Sequence, residues 1–77
     1  MDKVEFKGVV YDARHGGPFD RGSADSYYDR PEEPHYYVGA TSMSARIVES
    51  EMTPESIASY LAGYVYNEQC GDKKNYD

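Results

Sequence analysis

With 77 residues and a formal net charge of -6, from 14 acidic against 8 basic side chains, the chain is expected to hold one small acidic domain over 1–77. A domain of that length buries only about 60% of the surface its unfolded form exposes. The single cysteine, Cys70, excludes an intrachain disulfide and a cysteine-cluster zinc site. The acidic balance speaks against free nucleic acid as the principal ligand, because binding a phosphate backbone draws on Lys and Arg to release counterions.

No stretch approaches the roughly 20 apolar residues that span a bilayer, and the start carries neither a continuous apolar segment nor a cleavage pattern. A soluble, cytoplasmic protein without a membrane partner is expected. The 9 Tyr and 2 Phe, with no Trp, must supply much of the core, and tyrosine also suits contact surfaces, where its ring is covered while its hydroxyl finds a partner.

In chain order, Val4 to Tyr11 reads as one short strand, with Val4, Phe6 and Val10 apolar against Glu5 and Lys7. Asp12 to Gly17 is turn-rich. Pro18 suits the first turn of a helix, with Asp20 near its positive dipole end, and the helix runs to Arg30. On it Ala24, Tyr27 and Tyr28 share one face, while Asp25 and Asp29 lie a turn apart on another. Pro31 stops it, and Pro31-Glu32-Glu33-Pro34 is a stiff acidic connector. His35 to Val38 and Ala45 to Glu49 read as strands; the spacing between them, Gly39 to Ser44, fits either a hairpin loop or an irregular crossing.

The last element is an amphipathic helix over 54–69. Thr53 is the N-cap, Pro54 the first helical residue, and Ile57, Leu61, Tyr64 and Val65 recur at helical spacing. Leu61 is the expected core anchor. Gly71 is the stop, Lys73 and Lys74 lie near the negative dipole end of this helix, and 71–77 is expected to fray. The fold class is therefore α+β: a short antiparallel sheet of about three strands with two helices.

The search for chemistry assigns no catalytic, cofactor-binding or metal-binding residue. His15 and His35 titrate near neutrality when unperturbed, but no acid-base partner follows from their spacing. Cys70 carries no nucleophile signature. Asp12, Asp20, Asp25 and Asp29 do not match the alternate-residue loop of a calcium hand, and Gly16-Gly17 lacks the lysine of a phosphate-binding loop. A non-enzymatic protein is expected.

The block Tyr11 to Tyr28 (YDARHGGPFDRGSADSYY), followed by Pro34-His35-Tyr36-Tyr37 and by the ending Thr53-Pro54-Glu55 through Gly63-Tyr64, Asn67-Glu68 and Gly71 to Lys74, resembles small proteins encoded by tailed bacteriophages. Arg21-Gly22, Pro34-His35-Tyr36 and Gly63-Tyr64 are also similar to ribosome modulation factor, a basic protein that binds ribosomal RNA; this chain departs from it in being acidic.

The phage resemblance implies a stoichiometric inhibitor of a host defence or nucleic-acid-handling complex, such as a CRISPR effector or a restriction enzyme, acting in the cytoplasm of an infected bacterium. The expected docking residues are Asp20, Asp25, Asp29, Glu32 and Glu33 for charge and Tyr27, Tyr28, Tyr36 and Tyr37 as aromatic anchors. The expected partner is a host protein with a basic surface. A ribosome-associated module and a self-associating phage component, closed into a homodimer by tyrosines, are the alternatives.

Overall fold

In the computed structural model residues 2–39 and 44–73 are described. The first surprise lies at Lys7-Gly8. Both have positive φ, 53° and 81°, the geometry of a two-residue type I′ turn whose twist matches that of its flanking strands. The expected single strand is therefore a hairpin, β1 (Lys3–Phe6) and β2 (Val9–Asp12), with Val4 opposite Tyr11 and Phe6 opposite Val9. The turn shifts the alternation by one position. Val10 falls on the outer face with Glu5 and is 63% exposed, while Phe6 and Tyr11 turn inward, Phe6 edge-on to Tyr66 and Tyr11 stacked on Phe19.

Helix α1 spans Pro18–Tyr27. Gly17 is its N-cap, Pro18 its first residue, and Asp20 reaches back to accept the Gly16 N–H at 2.9 Å. The helix ends before Pro31. Asp29 adopts φ 60°, its N–H donates to the Ser26 carbonyl (3.0 Å), and the Arg30 N–H donates to the Asp25 carbonyl (2.8 Å). This pair of bonds is the Schellman arrangement, with an aspartate in the left-handed position more often held by glycine.

Strands β3 (His35–Tyr37) and β4 (Arg46–Val48) form a second antiparallel hairpin, His35 opposite Val48 and Tyr37 opposite Arg46. Their connection, expected as a hairpin loop or a crossing, lies mostly at 40–43, outside the described residues; its flanks are joined by Gly39 N–H donating to Ser44 Oγ at 2.8 Å. A single 3-10 turn, Glu49–Glu51, leads to α2 (Pro54–Cys70), whose N-cap Thr53 accepts the Ser56 N–H. The class is α+β, with four strands in two separate hairpins rather than one sheet.

Two glycines set how closely the helices approach. A Cβ on Gly22 would lie 2.0 Å from the Tyr60 carbonyl oxygen, and one on Gly63 2.1 Å from that of Phe19. Backbone therefore meets backbone at the crossing, and Gly22, unfavourable for an isolated helix by about 1 kcal/mol, is what the packing demands. On α1 the covered residues are Phe19, Gly22, Asp25 and Ser26; on α2 they are Tyr60, Gly63 and Asn67. Leu61 lies on the other side of α2 and is 37% exposed. The expectation that Leu61 anchors the core is corrected: the crossing selects small and hydrogen-bonding residues, and Leu61 is turned outward between half-buried Ile57 and Val65.

Helix α2 stops at Gly71 as expected, but the residues after it do not simply fray. Gly71 N–H donates to Asn67 C=O (3.0 Å), Asn67 Nδ2 donates to Asp72 C=O (3.0 Å), and Lys73 Nζ donates to Ser26 C=O (3.0 Å). Residues 71–73 thus fold back, and Lys73 satisfies a last-turn carbonyl of α1 rather than the end of its own helix. Lys74 and the remainder of the expected frayed tail, 74–77, lie outside the described residues.

Candidate partner-binding surface

Beneath the surface lies a polar centre. Among the described residues the buried apolar side chains are Phe19 and Tyr60, at 2% and 0% exposure, and they are joined by buried Asp25, Ser26, His35 and Asn67. Each of these polar groups is satisfied, as burial requires. Tyr60 Oη donates to Asp25 Oδ2 at 2.5 Å and accepts the Glu33 N–H at 2.9 Å. Arg30 donates to the other Asp25 oxygen at 3.2 Å. His35 donates from Nδ1 to the Glu33 carbonyl (2.8 Å) and accepts at Nε2 from Arg21 Nε (3.3 Å). Burial, and then the Asp25 carboxylate, push the Tyr60 hydroxyl well above the usual phenol range. Asn67 Nδ2 donates to Ser26 Oγ, which donates to Glu68.

This centre takes one expected docking residue out of play. Asp25, 3% exposed, is an acceptor inside the fold and not a surface carboxylate, because its position on α1 faces α2 and β3. The remaining expected residues do not form one patch. Asp20 is at the start of α1, bonded to Gly16 and 3.8 Å from His15. Glu33 pairs with Arg46 at 2.9 Å, which raises the guanidinium pKa further. Tyr37 lies on the same side of β3 as His35, under the Arg21 guanidinium, whereas Tyr36 is on the opposite side, across from Ile47. Tyr27 and Tyr28 meet edge to face at 4.9 Å, and Arg30 lies over the Tyr28 ring.

What the structure does bring together is the end of α1 with the second half of α2. The Tyr64 hydroxyl donates to the Arg30 carbonyl. Its pKa is raised, first by desolvation, then by Glu68, Glu32 and Asp29, with Lys73 opposing. Lys73 bridges Glu68 and Asp29, and Glu32 is exposed without a cationic partner among the described residues. Tyr64 and Glu68 were not among the residues expected to dock. Their helical spacing from Leu61 was legible, but their neighbours come from a segment more than thirty residues earlier in the chain.

Five of the seven Lys and Arg side chains among the described residues donate to acceptors of the fold, and Lys3 and Lys7 are exposed without an ion pair there. Arg14 donates to the Tyr37 carbonyl, Arg21 to His35, Arg30 to Asp25, Arg46 to Glu33 and Lys73 to Glu68. Exposed Asp2, Glu5, Glu32, Glu49, Glu51, Glu55 and Asp72 have no ion-pair partner among the described residues. Among those same residues there is no concave pocket, no group of side chains placed to hold a metal ion, and no helix long and apolar enough to cross a membrane. Cys70 is exposed. No protein family, characterised protein or solved structure matches the chain.

Proposed function

We propose that this chain is a non-enzymatic inhibitor that acts by occupying a basic surface of a nucleic-acid-handling protein, in the manner of a nucleic-acid mimic. The observation that carries this reading is the imbalance of charge at the surface. The guanidinium groups are engaged by acceptors of the fold and the exposed carboxylates outnumber the exposed cations, so the exterior carries a net negative field that would speed encounter with a cationic partner. The resemblance to tailed-bacteriophage proteins supports a host defence complex, a CRISPR effector or a restriction enzyme, as that partner, in the bacterial cytoplasm.

The test is affinity capture from bacterial lysate followed by reconstitution. A stoichiometric complex with a basic nucleic-acid-handling protein, dissociated by salt and displaced by duplex DNA, is the expected result. Tight salt-sensitive binding of naked DNA or RNA by the purified chain, or turnover of a small molecule, would overturn it. For the ribosome-associated alternative, the supporting observation is that Gly22 and Gly63, which belong to the segments similar to ribosome modulation factor, are the glycines at which the two helix backbones meet. Co-sedimentation with ribosomal particles would favour that reading, and light scattering would reveal the homodimer of the third.

A further inference from the structure

Helix α2 presents two long faces, and one is occupied by α1. Opposite it, Ile57, Leu61 and Val65 follow one another at four-residue intervals, the ridge spacing by which helices lie against one another. Leu61 is exposed and its two neighbours are partly so. Tyr64 and Glu68, at three and seven residues from Leu61, extend the same surface, and the carboxylates gathered around Tyr64 border it. Among the described residues Asp29 and Glu68 pair with Lys73, Arg30 pairs with Asp25, and Glu32 has no ion-pair partner.

We infer that the outer face of α2 is a docking ridge for a cationic amphipathic helix of a partner protein, its apolar side on Ile57, Leu61 and Val65 and its Lys or Arg side chains against Asp29, Glu32 and Glu68. The inference rests on the binding function proposed above and gives it a location. Charge selects this occupant. A second copy, itself at -6, would bring the same carboxylates face to face across a short apolar strip, whereas a basic helix satisfies both the strip and its border.

The test titrates isotope-labelled protein with a synthetic Leu/Lys amphipathic peptide of about 18 residues, similar in length to α2, and follows amide shifts. Expected are shifts centred on Ile57, Leu61, Tyr64, Val65 and Glu68, absent with the Leu/Glu counterpart. Leu61→Asp, with its fold checked by the amide spectrum of the free protein, should weaken binding about tenfold. Asp29→Asn with Glu32→Gln should weaken it about threefold and flatten its salt dependence; Asn retains the left-handed conformation that position 29 needs.

Shifts centred on another face, or affinity untouched by Leu61→Asp, would overturn the ridge. So would a dimer in light scattering that this substitution dissolves. Capture of a basic target that survives Leu61→Asp and the Asp29/Glu32 pair would remove the ridge and leave the inhibitor reading standing. No binding of the Leu/Lys peptide at low salt would count against both.

Discussion

The two faces of α2 make an instructive pair. The side that meets α1 presents Tyr60, Gly63 and Asn67; the side away from it presents exposed Leu61 flanked by half-buried Ile57 and Val65. By hydropathy alone the assignment would be reversed. Where two helices cross at backbone distance there is no room for branched aliphatic side chains, and the residues selected are those that vanish, as glycine does, or that hydrogen-bond across the gap, as Asn67 and Tyr60 do. Apolar residues displaced from such a crossing are available for an interface.

The comparison is broken most severely at the glycines. Gly63→Ala places a methyl 2.1 Å from a carbonyl oxygen on the facing helix, with backbone that cannot step aside, and should destabilise the domain by about 3 kcal/mol or more in urea unfolding. That would be a large share of the total for a chain of this size. Tyr60→Phe keeps the ring but leaves the Asp25 carboxylate and the Glu33 amide each short of a partner; a loss of about 2 kcal/mol is expected by the same measurement.

The third expectation concerns pH. Hydrogen bonds first from Lys73 and then from Ser26 hold the Glu68 carboxyl below the usual range, and the Lys73 ammonium is raised by Glu68. A carboxyl depressed in the folded state stabilises above its unfolded pKa and loses that contribution as pH falls through the folded value; the raised ammonium loses its own as pH climbs through its folded value. The difference in stability between the native chain and Glu68→Gln should be constant around neutrality and disappear in acid below the carboxylate range. A difference that persists there would mean Glu68 acts through shape and not charge.

The smallest effect belongs to the outer face. Leu61→Ala should cost under about 1 kcal/mol, against the 2–5 kcal/mol typical of a buried leucine. A loss in the higher range would show that the ridge is covered in the isolated chain.

The helices were legible in the sequence because their starts are local chemistry. Pro18 and Thr53-Pro54 sit where the structure begins α1 and α2. The first hairpin was not, because its turn uses lysine where Asn, Asp or Gly is the usual residue at positive φ, so Lys7-Gly8 read as part of a strand and Val10 was placed on the wrong face. Asp25 was misread for a related reason: exposure is the ordinary state of aspartate, and only the arrival of Tyr60, 35 residues later in the chain, makes an interior site tolerable. The docking residues were dispersed because sequence proximity was taken for spatial proximity; Tyr36 and Tyr37, adjacent in the chain, belong to opposite sides of β3.

A centre that, among the described residues, holds Phe19, Tyr60 and a web of hydrogen bonds has a calorimetric consequence. The heat capacity of unfolding grows with the apolar surface released and is reduced by the polar surface released. With so little aliphatic area fully enclosed, this chain should show an increment per residue below the ordinary range, and hence a stability that changes gently with temperature, along a broad and shallow curve.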